Sequence, residues 1–297
     1  MKTIEVHHLT KDYGNKKGIF DLNFSVQKGE VFGFLGPNGA GKTTTIRHLM
    51  GFIRPDSGTV TINGMDCFSQ HARLQQTLGY LPGEIALFND MTGTSYLKFM
   101  ADLKRVKDQT RIKKLMDYFE LNPKGPIRKM SKGMKQKLAI ICTFMSDPNI
   151  IILDEPTSGL DPLMQNRFIE LILQAKKNGA TILLSSHIFE EVEKSCDRTA
   201  IIRNGRLVTI ENMNSLAQKK KKTYTVTFAD QQAAQKFALD PSLPIQKVSN
   251  NQVLLSVNGA PGEILKKIGA CHPVDMDIKT QTLEELFLHY YDEEVTL

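Results

Sequence analysis

The run Gly36-Pro37-Asn38-Gly39-Ala40-Gly41-Lys42-Thr43, followed by Thr44, has the residue types and spacing of a phosphate cradle. It fits G-x-x-x-x-G-K-[ST], with an apolar strand-like run before it and a helical pattern after it. The glycines let the backbone bend until successive N–H groups converge on phosphate oxygens. The start of the following helix adds free N–H groups and partial positive charge. Lys42 would reach the terminal phosphates as a point charge, and the Thr43 hydroxyl would ligate Mg2+. A second group of chemical residues closes the run Ile150-Ile151-Ile152-Leu153-Asp154-Glu155. A buried strand there delivers Asp154 to its carboxyl end, where open α/β sheets take ligands. Asp154 would hold Mg2+ through water, and Glu155 would orient and deprotonate a water for in-line attack.

The elements that must position these residues alternate through the first 210 positions. Ile4–Leu9, Val31–Leu35, Gly58–Ile62, Ile150–Leu153 and Thr181–Ser185 read as strands. Helical patterns run from Gly41 to about Met50, near Ser95–Lys104, Gln109–Leu121 and Ser131–Met145, from Pro162 to a stop at Asn178-Gly179, and, after the strand Thr181–Ser185, to about Cys196. Asn204-Gly205 between Ala200–Arg203 and Arg206–Thr209 signals a hairpin. Apolar strands separated by helices predict an α/β domain around a largely parallel buried sheet. The composition shifts near residue 212, and the polar segment 212–222, with four lysines from Lys219 to Lys222, reads as a linker. Beyond it the order β-α-β-β-α-β-α predicts a small ferredoxin-like α+β unit with an extra terminal helix.

Composition removes several classes. Of 297 residues, 41% are hydrophobic and 24% charged, which excludes collagen-like and wholly disordered chains. No window approaches the roughly 18 consecutive apolar residues of a membrane-spanning helix, and the start MKTIEVHH lacks the apolar core of a secretory signal. An intracellular protein that does not itself cross a membrane is the expectation. Cys67, Cys142, Cys196 and Cys271 are too widely spaced for a zinc site or a disulfide framework. They read as small apolar residues in a reducing cytoplasm. The net charge of +6 leaves nucleic acid, phosphate ligands and anionic membranes open.

Further segments carry a resemblance to a known family. Met130-Ser131-Lys132-Gly133-Met134-Lys135-Gln136-Lys137 resembles the LSGGQ signature of ABC-type ATPases. Ser158-Gly159-Leu160-Asp161 resembles the family's D-loop, and His187 lies where the family has its switch histidine. Tyr13, 23 residues before Gly36, lies where the family has an aromatic that stacks on adenine. All occur in the family's order over residues 1–210. The chain thus resembles the nucleotide-binding subunit of an ABC transporter. The resemblance implies a P-loop NTPase (ABC ATPase) domain over 1–211, with a helical subdomain at about 90–148. A C-terminal unit over 223–297 would dimerise or regulate. It implies an ATPase using ATP and Mg2+. Gly36, Asn38, Gly39, Gly41, Lys42, Thr43, Thr44 and Tyr13 would bind nucleotide, Thr43 and Asp154 the metal. Glu155, Lys42 and His187 would be catalytic. Ser131 and Gly133 would touch the γ-phosphate held by a second such subunit docked head to tail, as a homo- or heterodimer.

Two positions depart from the pattern. The family usually has a glutamine, a Mg2+ ligand, where Gly83 follows Leu78-Gly79-Tyr80-Leu81-Pro82. Either water fills the position or Glu84 reaches in. Lys132 replaces the signature's first glycine, and would add charge near the partner's phosphates or point to solvent. The tail Thr282-Leu283-Glu284-Glu285-Leu286-Phe287-Leu288-His289-Tyr290-Tyr291 resembles the closing helix of exporter ATPases of the bacitracin- and multidrug-resistance type. That branch implies export of a drug, peptide or lipid-like substrate through a separate polytopic permease, at the cytoplasmic face of the membrane. A regulatory or immunity protein that uses ATP without pumping is the alternative. A nucleic-acid role is disfavoured: 95 positions separate Gly36 from Ser131 without a heptad run, and there is one cassette. The charge is also local. Residues 1–210 carry 29 Lys/Arg against 21 Asp/Glu, and 98–137 alone carry 13 against 4. With the resemblance placing that segment toward the membrane partner, the excess suits anionic lipid or acidic partner loops, so neutralising Lys104, Arg105 and Lys107 would weaken salt-sensitive membrane association; a merely solvated helical face is the alternative.

Overall fold

The computed structural model describes residues 1–257 and 261–292, without the side chains of 218, 219 and 288–292. Leu288, His289, Tyr290 and Tyr291 of the tail motif therefore have side chains outside the described residues. Two compact units divide between Asn212 and Met213.

The first unit is built on a six-stranded sheet. Its order from one edge is Arg206–Asn212, Arg198–Arg203, Val31–Leu35, Thr181–Ser186, Ile150–Asp154 and Leu78–Leu81. All neighbours are parallel except the first pair, the hairpin about Asn204-Gly205. Val31–Leu35, Ile150–Asp154 and Thr181–Ser186 are buried at every residue. This is why they are apolar runs rather than alternating ones. The cradle lies beyond the carboxyl end of Val31–Leu35, and Asp154 ends a strand two places along the sheet, with Thr181–Ser186 between them.

A second sheet, Gly18–Gln27, Lys2–Asp12, Ser57–Ile62 and Met65–Asp66, is antiparallel. Gly18–Gln27 is a strand not among those expected, although Leu22, Phe24 and Val26 alternate with Asn23 and Ser25. Those three and Ile19 are buried, and the period breaks only between Ile19 and Leu22, where the pairing with Lys2–Asp12 shifts register. Phe24 stacks on Phe32 at 5.6 Å between ring centroids. Ile46 and Leu49 of the helix Lys42–Leu49 share one core with Ile4 and Val6 of this sheet and with Phe34 and Ile152 of the parallel one. The cradle helix is thus fixed from both sides.

Between Leu78–Leu81 and Ile150–Asp154 the chain forms the helices Gly93–Leu103, Thr110–Tyr118 and Lys132–Phe144. Thr92, Ser131 and, further on, Asp161 cap helices by accepting N–H bonds from Ser95, Met134 and Met164. Lys98, Arg105 and Lys107 are exposed, but Lys104 is not on that face. It is half-buried with Nζ 3.4 Å from Leu78 O, and burial lowers its pKa. Its four-carbon stem lets it pack inward while its neighbours stay wet.

The second unit holds the antiparallel sheet Ile245–Ser249, Gln252–Val257, Lys222–Thr227, Asp275–Thr280. That strand order, with the helices Gln231–Ala238 and Gly262–Ala270 as crossovers, is the ferredoxin-like arrangement. Tyr224, Val226, Val253 and Leu255 pack with Phe237 and Ile268 of those helices. The expected linker 212–222 differs from what is found. It contains the helix Met213–Lys219, with Met213 and Leu216 buried, and Lys222 begins a strand. Two apolar residues three apart suffice to bury one helical face inside a segment that is polar in composition. Cys67, Cys142 and Cys196 are buried, and Cys271 is exposed. Among the described residues no helix is long and apolar enough to cross a membrane.

Candidate active site

The cradle and the strand end Asp154-Glu155 face one cleft of about 870 Å3. Asn38, Gly39, Gly41, Lys42, Thr43 and Thr44 line it, with Asp154 and Glu155 opposite and Tyr13 at the mouth. Two of the cradle glycines have no substitute. Gly41 has φ +111° and an added Cβ would lie 2.7 Å from Ile19 Cγ2, while at Gly36 it would lie 2.4 Å from the Ile202 carbonyl oxygen.

Lys42 is 4% exposed and folds back over the loop. Its Nζ donates to Gly36 O at 2.8 Å and Pro37 O at 3.1 Å, and lies 3.2 Å from Glu155 Oε1. The Thr43 hydroxyl donates to Asp154 Oδ2 at 2.8 Å, and Ser185 Oγ donates to Asp154 Oδ1 at 2.5 Å. Ser185 also receives the Glu155 N–H, on Oγ at 3.2 Å and on its carbonyl at 3.1 Å. One fully buried serine on the adjacent strand therefore holds the Asp154 carboxylate and the Glu155 backbone, a role not evident from the sequence. Glu155 takes φ +46°, a left-handed conformation rare for a residue with a side chain. His187 Nδ1 lies 3.3 Å from Glu155 Oε2, and the ring is about half exposed.

Other lining residues escaped the sequence reading. Arg47 lies one helical turn beyond Thr43 on the cradle helix, so the 3.6-residue period was the available signal. Asn204 and Gly205 were legible as a turn but not as a wall. The Gly205 N–H donates to Ala40 O at 3.0 Å, which seats the hairpin tip against the cradle. Lys16 and Lys17 follow Tyr13 into the same wall. Gly83 and Glu84 line the cleft too, and a Cβ at Gly83 would lie 3.2 Å from Asp154 Oδ2.

Ser131 and Gly133 are not brought to this cleft. They lie at the start of the helix Lys132–Phe144, against Ser158-Gly159. The predicted nucleotide residues thus form two separate groups within one chain.

The donors present suit Mg2+. A threonine hydroxyl and one aspartate oxygen are hard oxygen ligands, and no cluster of three His, Cys, Asp or Glu exists among the described residues. A site of that kind suits an ion that keeps several waters and is completed by substrate phosphates rather than by an all-protein cage.

A family model described as ABC transporter matches residues 19–158. The linearmycin resistance ATP-binding protein LnrL of Bacillus subtilis is 36% identical over 73% of this chain and 71% of its own length. The bacitracin transport ATP-binding protein BcrA of Bacillus licheniformis is 35% identical over 78% and 76%. The uncharacterized ABC transporter ATP-binding protein YhcH of Bacillus subtilis is 30% identical over 97% of this chain and 96% of its own, so it spans both units. A solved structure of the ATP-binding subunit of an ABC transporter superposes with a TM-score of 0.66 at 32% identity. It covers 73% of this chain and 92% of the other.

Proposed function

The chain belongs to the family of ABC transporter ATP-binding proteins, and from that membership we propose that it hydrolyses Mg-ATP to drive export through a separate permease. The observation that carries the reading is the convergence of Lys42, Thr43, Asp154 and Glu155 on one cleft, within 3.2 Å of one another in sequence-distant pairs. Membership in a family with resistance and bacitracin-transport relatives supports a drug, peptide or lipid-like cargo. Cargo selectivity would lie in the permease.

The residues have distinct tasks in this reading. Phosphate oxygens replace the carbonyls and Glu155 around Lys42, which frees the Glu155 carboxylate to take a proton from the attacking water. The Thr43 hydroxyl and Asp154 hold Mg2+, which when bound neutralises charge across the terminal phosphates. Ser185 keeps Asp154 turned toward Thr43. His187, already against Glu155, orients the γ-phosphate on its own side, and Tyr13 stacks on the adenine. Ser131 and Gly133 complete the second copy's site with a hydroxyl and helix N–H groups. Gly83 offers no side-chain ligand, which leaves Glu84 or water to fill the position. The second unit dimerises or regulates, and the assembly sits at the cytoplasmic face of the membrane, held there by the permease.

The test is turnover. Purified Glu155→Gln protein is expected to bind ATP with unchanged affinity and hydrolyse it at least about 100-fold more slowly. Equal turnover refutes Glu155 as the base. Co-purification with a polytopic membrane protein separates transport from a regulatory role.

A further inference from the structure

One face of the helix Lys132–Phe144 is seated on the loop that follows Glu155. Lys132 Nζ donates to Ser158 Oγ at 3.0 Å. One turn on, the buried Gln136 side chain donates to Pro156 O. Between them, a Cβ at Gly133 would lie 2.9 Å from Gly159 O. Gly159 has φ +83°, and a Cβ there would lie 3.0–3.1 Å from three carbons of the Lys132 stem. Gly133 is therefore needed by the backbone of Gly159, and Gly159 by its own positive φ and by the lysine stem that roofs the contact. Lys132 is exposed, but its ammonium is bonded to Ser158 and it does not line the cleft of its own chain.

We propose that Lys132 is a positioning residue: it fastens the loop Pro156–Gly159 to its own signature helix, so that both meet a second copy of the chain as one block. The proposal rests on the reading that two copies close on ATP. It differs from a direct role in which the ammonium contacts the second copy's phosphates. In the direct role Ser158 is irrelevant. As a fastener, the Lys132 ammonium acts only through Ser158, and the two polar groups act as a unit.

The experiment is a double-mutant cycle in full-length Glu155→Gln protein, with ATP-dependent self-association measured by sedimentation. Lys132→Ala and Ser158→Ala are each expected to weaken self-association about fourfold, a typical loss for one exposed polar contact. The double variant should lose no more than either single one. Affinity of the dilute, unassociated chain for a fluorescent ATP analogue should be unchanged throughout, because neither residue lines the cleft. Additive losses overturn the proposal. A loss for Lys132→Ala with a silent Ser158→Ala, steep in salt, also overturns it and assigns the direct phosphate contact instead. Self-association in the parent with both variants silent defeats the fastener alone. A parent that does not self-associate with ATP defeats the two-copy reading as well.

Discussion

Replacing Glu191 by glutamine should stabilise the protein at alkaline pH and leave it unchanged in acid. Glu191 lies in the helix Phe189–Ser195 and is 4% exposed. Ser186 Oγ donates to its Oε2 at 2.5 Å, and its Oε1 has no hydrogen-bond partner. Burial pushes its pKa up to about 7. The Ser186 and Thr157 hydroxyls pull against that, and the charge on Glu155 adds to it. The unfolded chain titrates at the ordinary value of 4.5. Between those values the native state keeps a proton that the unfolded state has released, so stability falls as pH rises from 4.5 to 7 and is level above. At 1.36 kcal/mol for each pKa unit, the loss reaches at most about 3 kcal/mol. Glutamine copies the protonated carboxyl and does not ionise. Denaturation at pH 8.5 should therefore find Glu191→Gln more stable by up to about 3 kcal/mol. For a unit of this size that is roughly 8 °C in Tm. At pH 5 the two proteins should agree to within about 0.5 kcal/mol. A difference independent of pH, or a wild type more stable at pH 8.5, would refute the account and show that the carboxylate is ionised and satisfied in the fold.

Two further outcomes can be checked directly. Ser185→Ala removes the donor to Asp154 Oδ1 and an acceptor of the Glu155 N–H. Hydrogen bonds to charged groups contribute about 1.5–3 kcal/mol, so the Mg2+ concentration for half-maximal ATPase should rise about tenfold or more. Binding of a non-hydrolysable nucleotide at varied Mg2+ gives a second readout. Neutralising Lys98, Arg105 and Lys107 together should weaken binding to anionic vesicles at least about tenfold at low salt, since each such charge near the surface contributes about 1 kcal/mol. Lys104→Gln should leave vesicle binding unchanged, because that side chain packs inward beside Leu78.

Much of the site was legible because its chemistry is local in the chain. The cradle needs glycines and Lys-Thr at fixed offsets between a strand and a helix, and Asp154-Glu155 follows directly from a run of buried β-branched residues. The parallel sheet, the hairpin about Asn204-Gly205 and the ferredoxin-like order of the second unit followed from apolar runs and turn signals for the same reason. What depends on sequence-distant neighbours was not legible. Ser185 looks like any polar residue ending a strand until pairing sets it beside Asp154. Lys104 and Arg105 are adjacent and alike in charge, yet one is packed inward and the other exposed. Lys132 could be assigned only from its distances to Ser158 and Gly159, 26 and 27 positions away. Residue type and spacing determined the reaction this chain supports. The close approach of distant segments decided which side chains hold the reacting groups in place, because a hydrogen bond or packed contact depends on separation in space and not along the chain.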